Sequence, residues 1–524
     1  FVRFVHCSDS SIPSIRILRR ILEHAFAALA TGHPTNPTPI CRVERLCNME
    51  AVKTYLAALD NSNTRDEAVD KAKDYSISHG MCMISKSGGR DCWTFVPFCL
   101  LPSPFPRNNY LQLKSLQRDV NLLMHRVAHD HEFLENCLQG AIETDKFTAS
   151  IYRIYEQVRE KGFPQPLSLG LLRSDYFLDV DTAENRKMGV AKQVEVNTIA
   201  ASYGGLSPIL QNQQKHTLKN LGLCMHEDHM PENKSDEQLA KGLVAAWNAY
   251  KKEKAVIMFV VEETTYNICD QRMIEYAITK LEPQIKVIRR RFSELVNCSL
   301  KEGNLIVDGD EVAVVYYRTG YSPEQMNEKN WEIRLLIEMS FAIKCPSVQY
   351  HLAGTKKVQQ VLATPGSLDR FFMNKATVDR LRNTFAGLYS LDLTPEGHKA
   401  AEKAIANPTA YVLKPQREGG GHNVYGEKVK QELLALGRTK EREGYILMDL
   451  ITPPVNTNYI VRPGFNVELA NVVSELGIFG VILGDQDEVL ENYEAGFIVR
   501  SKTTGTSEGG ISAGYGVLDS LLLV

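Results

Sequence analysis

The feature that most constrains this sequence is a run of three glycines between an apolar strand and an amphipathic helix. The loop reads Lys414-Pro-Gln-Arg-Glu-Gly-Gly-Gly-His-Asn423, after a predicted strand at 411–414 and before a predicted helix at 427–436 and strand at 445–449. Consecutive glycines let backbone N–H groups approach phosphate oxygens. Lys414 and Arg417 add positive charge, and Glu418 adds a carboxylate suited to Mg²⁺. The Walker pattern is absent, which argues against a P-loop NTPase. The order of strand, glycine loop, helix and strand predicts a lid that folds over a nucleotide, and a flexible surface loop is the alternative.

A second candidate site lies on a predicted strand at 192–198. Alternation along a strand places Glu195 and Asn197 on the same face. Neighbouring carboxylate and amide oxygens suit Mg²⁺, which also takes water and substrate phosphates as ligands. The strand leads into a turn of small residues at 200–205, where a ligand can approach the backbone. A solvent-facing strand edge is the alternative to a metal site.

The middle of the chain alternates between helices and apolar strands. Apolar runs at 255–261, 285–288 and 312–317 predict buried parallel strands, and Asp308-Gly309 between two apolar runs predicts a hairpin. We therefore expect an α/β unit here. Before it, the pattern predicts helices at 15–30 and 110–138 and a loop at 31–39. Short strands are predicted at 167–171 and 192–198, with an acidic linker at 179–184 between them.

Two arginines are candidates for binding a substrate carboxylate. Arg318 follows the strand at 312–317, and Arg173 is expected at an equivalent strand end. Ligands of open α/β sheets bind at the carboxyl ends of strands, and an arginine can pair with a carboxylate through two hydrogen bonds. A surface position is the alternative for both. The Gly-rich segment at 508–514 is either a closing element over a ligand or an ordinary terminal loop.

Composition narrows the class of protein. The formal net charge of -3 argues against a general nucleic-acid or anionic-membrane binder, and no apolar run is long enough to predict a membrane helix. Eleven cysteines without a Cys-x-x-Cys pair indicate free thiols of a reducing compartment, although a start at Phe1 leaves a removed signal peptide open. His125, His129 and His131 lack a completing ligand and are expected on an exposed helix or loop. The basic run at 289–291 is expected on a solvated face.

Together these segments resemble the eukaryotic glutathione synthetase family. The resemblance covers about residues 169–518 and is most specific in Leu352-Ala-Gly-Thr-Lys-Lys-Val-Gln-Gln360 and in the glycine loop. It implies an α/β (α+β) chain with an ATP-grasp fold, an inserted α/β substrate-binding domain and a helical N-terminal part. The implied domains are a mainly helical region at 1–165, the metal- and substrate-binding part of the core at 166–250, the α/β domain at 251–355, and the nucleotide-binding and lid region at 356–524.

The resemblance also implies an activity and a set of site residues. The family joins glycine to γ-glutamylcysteine through an acyl phosphate, using ATP and Mg²⁺, as a cytoplasmic homodimer with no nucleic-acid or membrane partner. Residues implied as metal ligands are Glu195, Asn197 and Glu418, and those implied in catalysis are Arg173, Lys414 and Arg500. The implied ATP site comprises Asn197, Lys356, Lys414, Pro415, Gln416, Arg417, Glu418, Gly419, Gly420, Gly421, His422, Asn423, Tyr425, Met448, Asp449, Leu450, Ile451, Glu475, Lys502 and Glu508. The implied dipeptide and acceptor site comprises Arg173, Ala200, Ala201, Ser202, Thr265, Tyr266, Asn267, Gln271, Arg318, Thr319, Gly320, Tyr321, Arg500, Ile511 and Ser512.

The substrate side departs from the family pattern. The departures are Ala200 for Ser, Thr265-Tyr266 for an acidic–basic pair, Thr319 for Asp, Glu508 for Asp and Ser512 for Ala. Each alters charge, hydrogen bonding or volume where a lost polar partner weakens binding. Two hypotheses follow: a ligase that uses glycine or another small amino acid, or a divergent relative with little ligase activity that acts as a binding protein. The retained metal and lysine positions favour the enzyme.

Overall fold

The structure, a computed structural model, describes residues 50–86, 89, 91–180, 189–223, 227–417 and 421–524. All of them belong to one compact unit, Cys47–Val524. The helix predicted at 15–30, the loop at 31–39 and most of the acidic linker lie outside the described residues. Within the described part, no helix is both long enough and apolar enough to cross a membrane.

The described part contains helices and strands in mixed order, which confirms the predicted α/β (α+β) class. The helices are α1 (Glu50–Ala57), α2 (Ser62–Ser78), α3 (Arg107–Ala128), α4 (His131–Thr144), α5 (Lys146–Glu160), α6 (Ser207–Asn220), α7 (Ser235–Tyr250), α8 (Ile268–Leu281), α9 (Glu328–Glu338), α10 (Val348–Ala353), α11 (Lys356–Leu362), α12 (Lys375–Thr384), α13 (Pro395–Ala406) and α14 (Glu427–Leu436). The strands are β1 (Cys82–Ile84), β2 (Trp93–Phe95), β3 (Phe98–Cys99), β4 (Ser103–Phe105), β5 (Ser168–Asp179), β6 (Val190–Asn197), β7 (Val256–Val261), β8 (Val287–Arg291), β9 (Ser299–Lys301), β10 (Asn304–Val307), β11 (Asp310–Tyr317), β12 (Ile343–Cys345), β13 (Leu388–Ser390), β14 (Tyr411–Pro415), β15 (Val424–Tyr425), β16 (Tyr445–Asp449), β17 (Asn456–Val461), β18 (Glu468–Gly484), β19 (Val489–Thr503), β20 (Val517–Asp519) and β21 (Leu521–Leu523).

The long strand β5 lies at the centre of the main sheet. It pairs antiparallel with β18 along 168–176 and antiparallel with β6 along 173–179, and it meets β12 in parallel at Ser168. β18 continues the sheet by pairing antiparallel with β19. Apolar side chains of α3, α4 and α5 pack with those of α10, α11 and α12 in one extensive hydrophobic core. The core therefore fixes β5 and its neighbours, which carry several site residues.

The α/β unit predicted in the middle of the chain is confirmed. β8, β7, β11 and β12 are neighbouring parallel strands, and all six residues of β7 are buried. Burial on both faces explains the continuous apolar run. The hairpin is confirmed as well: β10 pairs antiparallel with β11, and Asp308 and Gly309 have φ values of 51° and 87°. Two left-handed residues are typical of a type I′ turn.

The predicted order of strand, glycine loop, helix and strand is also confirmed. β13, β16, β14 and β15 form a four-stranded antiparallel sheet in that order. A small apolar core joins this sheet to α13 and α14, with Ala404, Leu413, Val429, Leu433 and Leu447 buried in it. This unit, here called the lid sheet, holds the ends of the glycine loop. The domain boundaries at 165, 250 and 355 stay a prediction.

Two predictions of local structure are wrong. The stretch 110–138 is two helices, because α3 ends at Ala128 and Asp130 caps α4 by accepting a hydrogen bond from the Phe133 N–H at 3.0 Å. A capping Asp competes with a continuous helix since its side chain takes the place of the backbone acceptor. Arg173 does not lie at a strand end but in the middle of β5, paired with Asn197 of β6.

His125 in α3 is buried, contrary to the prediction, whereas His129 and His131 are half-buried. His125 is 3% exposed; its Nδ1 lies 2.6 Å from the Tyr350 hydroxyl and its Nε2 lies 2.7 Å from the Asp485 carbonyl. A neutral ring satisfies both contacts if Nε2 donates and Nδ1 accepts. Burial, followed by the nearby His129, lowers the pKa of His125 to about 4. His125 is therefore a structural residue that stays uncharged in the folded protein.

Stability is expected to depend on pH through His125. The unfolded chain binds a proton on this ring near pH 6.5, and the folded chain does so only near pH 4. The contribution of neutral His125 to the free energy of unfolding is therefore fully present above pH 6.5 and is lost as the pH falls towards 4. Urea unfolding at pH 7.5 and pH 5 measures the change. For His125→Gln the loss between these pH values should be smaller than in the parent by about 2 kcal/mol. An equal loss in both proteins would contradict this assignment.

Candidate active site

A cavity of about 590 Å³ lies between the main sheet and the lid sheet. Its walls come from β5, β6 and the loop after β6, from β14 to β16 of the lid sheet, and from β18, β19 and the loop at 504–513. Its size is in the range of small-molecule and cofactor sites. The structure brings the following predicted residues into its walls: Arg173, Glu195, Asn197, Ala200, Ala201, Ser202, Tyr321, Lys414, Asn423, Tyr425, Met448, Asp449, Leu450, Ile451, Glu475, Arg500, Lys502, Glu508, Ile511 and Ser512.

Glu195 is surrounded by cationic side chains. Its Oε2 lies 3.1 Å from Lys356 Nζ, and the Lys414 ammonium donates to the neighbouring Val194 carbonyl at 3.1 Å. Burial alone raises the pKa of the Glu195 carboxyl, but Lys356, Lys414 and Arg500 outweigh burial and hold the pKa well below its usual range. Burial lowers the pKa of Lys414. This end of the cavity therefore combines an ionised carboxylate with an excess of positive charge.

Asp175 connects three site residues from beneath the cavity. It is fully buried and accepts two hydrogen bonds from the Arg173 guanidinium at 2.7 and 2.8 Å. Arg500 Nη2 donates to it at 2.9 Å and lies 2.7 Å from Glu475 Oε2, while Asn197 Nδ2 donates to it at 2.9 Å. Both hydrogen bonds from Asn197 use its amide nitrogen, which leaves its oxygen available to a ligand. Asp175 thus orients two guanidinium groups and an amide towards one space.

The loop after β6 has an unusual backbone that other residues hold in place. Ala200 and Tyr203 have φ values of 51° and 69°, a region that non-glycine residues rarely adopt. Asp270 accepts from the Tyr203 N–H at 2.7 Å and from the Gly205 N–H at 2.8 Å. Strained backbone of this kind persists only where the surroundings fix it, and it is common at ligand sites.

Arg318 supports the same loop from the parallel strands. It donates to the Ala201 carbonyl and to the Ser202 hydroxyl, both at 2.7 Å, and its Nη2 lies 3.7 Å from Asp270 Oδ2. Its Nε is buried without a hydrogen-bond partner. The guanidinium is therefore a fixed support of the loop whose remaining donor is still unused.

The loop at 504–513 closes another side of the cavity. The Ser512 and Tyr203 hydroxyls lie 2.7 Å apart, and Lys502 Nζ donates to the Ser507 carbonyl. Glu508 Oε1 is buried and has no hydrogen-bond partner. A buried oxygen without a partner is costly, so Glu508 favours a ligand in the cavity that supplies a cation or a donor.

Comparison with known proteins identifies the family. The profile described as "Eukaryotic glutathione synthase, ATP binding domain" matches residues 62–523. Glutathione synthetase of Xenopus laevis is 41% identical over 464 residues, which are 88% of this chain and 97% of that protein. The Homo sapiens enzyme is 39% identical over 467 residues, 88% of this chain and 98% of that protein. The chain belongs to the eukaryotic glutathione synthase family.

A solved structure agrees with this assignment. The apo form of a glutathione synthetase-like effector from Globodera pallida aligns with a TM-score of 0.73 at 25% sequence identity, covering 89% of this chain and 99% of that one. The predicted resemblance and the ATP-grasp type of fold are thereby confirmed. Family membership makes the chain an ATP-dependent ligase that uses Mg²⁺ with ATP.

The described residues fit a magnesium–nucleotide ligand. No group of three His, Cys, Asp or Glu side chains capable of holding a metal occurs among them. Glu195 and Asn197 nevertheless both face the cavity, so they offer a carboxylate and an amide oxygen. Mg²⁺ is usually held by one or two carboxylates together with water and substrate phosphates, and it needs no all-protein cage. The lysines beside Glu195 suit the phosphates themselves.

Glu418, Gly419 and Gly420 lie outside the described residues. Gly421 is described and has a φ of 83°. The assignment of Glu418 to the metal, and of Gly419 and Gly420 to the ATP site, therefore stays a prediction.

Several predicted residues are described but do not line the cavity. They are Thr265, Tyr266, Asn267, Gln271, Arg318, Thr319, Gly320, Lys356, Pro415, Gln416, Arg417, Gly421 and His422. Lys356 still contacts the site through Glu195. Arg417, expected to face a polyphosphate, pairs with Asp145 instead. The Gln416 side chain accepts from the Lys357 N–H at 3.1 Å, which ties the strand before the glycine loop to α11.

The prediction of a solvated face for residues 289–291 is wrong for Arg289. Its guanidinium pairs with Glu275 and donates to Gln271 Oε1 at 2.7 Å. Arg290 and Arg291 form ion pairs with Asp308 and Glu294 at partly exposed positions. Of the three arginines, Arg289 is the one whose recorded contacts are with α8.

Other residues of the site were missed by the sequence reasoning. Those in the cavity wall include Phe177, Val194, Ile199, Val412, Pro453, Val455, Val473, Thr504, Thr506 and Ser507. Asp175 was missed too, although it stands two residues after Arg173 and strand alternation places the two on the same face. For the apolar residues no signal distinguishes a cavity wall from an ordinary core.

Proposed function

We propose that this chain joins glycine to γ-glutamylcysteine with cleavage of ATP, and that the cavity between the two sheets is its active site. One observation supports the proposal most. The cavity places the ionised Glu195 carboxylate beside Lys356, Lys414 and Arg500, which is the charge pattern that a metal–polyphosphate requires. The apolar side chains of Val412, Met448, Leu450, Ile451 and Val455 offer a wall for the base.

The residues of the chain divide the work. Glu195 and the Asn197 oxygen are the proposed metal ligands, together with Glu418. Bound Mg²⁺ supplies charge neutralisation on the phosphate oxygens. Lys414 stabilises the negative charge of the phosphoryl group as the cysteinyl carboxylate attacks it.

Two arginines are proposed to act on γ-glutamylcysteine. Arg173 and Arg500, which Asp175 holds in place, orient the cysteinyl carboxylate of γ-glutamylcysteine. They also stabilise the oxyanion that forms when the amine of glycine attacks the acyl phosphate. The glycine loop and the loop at 504–513 exclude water, which would otherwise hydrolyse the acyl phosphate. No protein nucleophile is required.

The proposal extends to assembly and location. We expect a homodimer in the cytoplasm, as the family resemblance implies. Two plant relatives carry the word chloroplastic in their names, which describes those proteins. Light scattering of the purified chain and cell fractionation test the two expectations.

Release of phosphate from ATP tests the activity. With γ-glutamylcysteine and glycine, the full chain should release phosphate and form a tripeptide, and either substrate alone should give only background. Lys414→Met should reduce turnover by at least about a hundredfold. Alanine, β-alanine and serine belong in the same assay, because Ser512 adds a hydroxyl to the cavity wall. Release with none of these acceptors would overturn the proposal and favour a binding protein.

A further inference from the structure

Glu262 is a carboxylate without a cationic partner at the edge of the cavity. It follows β7 directly, and its Oε1 accepts a hydrogen bond from the Tyr321 hydroxyl at 3.2 Å. In the part of the chain that the structure describes, no ion pair involves Glu262. Burial raises the pKa of this carboxyl more than Arg318 lowers it. Its negative charge is therefore incompletely balanced by the protein.

The neighbouring arginines are already committed to other groups. Arg318 is held by the Ala201 carbonyl, the Ser202 hydroxyl and Asp270. Arg289 is held by Glu275 and by a second acceptor on α8. Neither can move to Glu262 without leaving a buried carboxylate or carbonyl unpaired, which costs more than the new contact gains.

Glu262 is not itself among the residues that line the cavity, but it contacts one that is. Its partner Tyr321 lines the cavity, as does Tyr203, whose pKa is raised by burial and further by the charge of Glu262. Glu262 follows the last residue of β7, and Arg318 follows the last residue of the neighbouring parallel strand β11. The carboxyl ends of parallel strands are where open α/β sheets bind their ligands.

The charge of this edge suits one particular group. Thr265 and Thr319, which replace acidic residues of the family pattern, are both buried and uncharged. Thr265 directs its hydroxyl to the Glu262 carbonyl at 3.5 Å. Since Asp270 and Glu275 are paired with arginines, Glu262 is the carboxylate at this edge that still lacks a cation. A γ-glutamyl dipeptide carries a single ammonium, because its cysteine nitrogen is an amide.

We propose that Glu262 binds the ammonium of the γ-glutamyl group, with Tyr321 holding the carboxylate in place, and so determines which dipeptide the chain accepts. This inference rests on the proposed function, because it takes the dipeptide as the substrate. An ammonium–carboxylate hydrogen bond in a partly dry site contributes enough to change affinity about ten- to a hundredfold.

The test is a thermodynamic cycle in which the carboxylate charge is removed from the protein, the ammonium is removed from the ligand, and both are removed together. Calorimetry gives Kd for γ-glutamylcysteine and for glutarylcysteine, which lacks only the ammonium, on the full chain and on Glu262→Gln. We expect the variant to bind γ-glutamylcysteine about ten- to a hundredfold more weakly, and glutarylcysteine about as well as the parent chain does. The matched control is Glu263→Gln, whose parent side chain is 65% exposed next door and lies 3.9 Å from Arg291; its two Kd values should not change.

The outcomes separate the two proposals. Equal weakening for both ligands, or none for either, overturns the role of Glu262. A ligand-specific loss together with an absence of turnover in the phosphate assay would uphold Glu262 and overturn the proposed ligase. If the parent chain turns over but shows no such coupling, the ligase stands and this inference fails. Unchanged KM for ATP in Glu262→Gln is expected as well, because Glu262 lies on the dipeptide side.

Discussion

Glutamine in place of Glu195 is expected to lower the rate of ATP-dependent phosphate release by at least about a hundredfold. The carboxylate lies 3.1 Å from Lys356, and three cations keep it ionised. A neutral amide of the same shape removes the negative charge from the proposed metal site and from beside Lys356 and Lys414. Steady-state kinetics with saturating γ-glutamylcysteine and glycine measure the effect.

Two controls make the Glu195→Gln result decisive. Glu253→Gln removes an exposed carboxylate in the turn before β7 and should leave the rate unchanged. Circular dichroism and the thermal midpoint should show that Glu195→Gln still folds. Raising the Mg²⁺ concentration should restore part of the activity if the carboxylate is a metal ligand. A folded variant with more than a tenth of the parent rate would remove Glu195 from the site.

Asparagine in place of Asp175 is expected to lower the free energy of unfolding by about 3–5 kcal/mol. Asp175 is fully buried and is the shared acceptor for Arg173, Arg500 and Asn197. Removing its charge leaves two guanidinium groups in a dry environment with one buried counter-ion fewer. Denaturant unfolding of the two proteins at pH 7.5 gives the difference directly.

An exposed ion pair provides the comparison for Asp175→Asn. Glu332 pairs with Lys329 at 2.8 Å, and both side chains are more than half exposed. Glu332→Gln should change stability by less than about 0.5 kcal/mol, because solvent screens the pair. Asp175→Asn should also weaken dipeptide binding, since Arg173 and Arg500 lose their orientation. Near-parental stability would show that the two arginines do not depend on Asp175.

Local patterns in the sequence were sufficient for much of the fold. The continuous apolar run of β7, the Asp308-Gly309 turn and the strand–loop–helix order of the lid sheet are each fixed by nearest neighbours along the chain. The same holds for Glu195 and Asn197, which share a face because side chains alternate along a strand. These signals are local, so a single sequence carries them.

The remainder depended on contacts between distant segments. Asp175 and Arg500 are 325 residues apart, and nothing near either residue announces the pairing. The burial of His125 depends on Tyr350, 225 residues away, and Arg289 turns inward because Glu275 of the packed helix receives it. A prediction from residue type alone places such side chains at the surface, because Arg is mostly exposed in folded proteins and His is often only partly buried.

The late position of β18 and β19 affects how the protein is made. A ribosome finishes β5 long before it reaches β18, the strand that covers one of its edges, so the backbone groups of residues 168–176 along that edge stay unpaired on a strand that is almost wholly buried in the folded protein. Such an edge is a template for aggregation in a nascent chain. We therefore expect synthesis of this protein to depend on chaperones that shield the growing chain. A message that ends before β18 would yield a product that aggregates rather than one with partial activity.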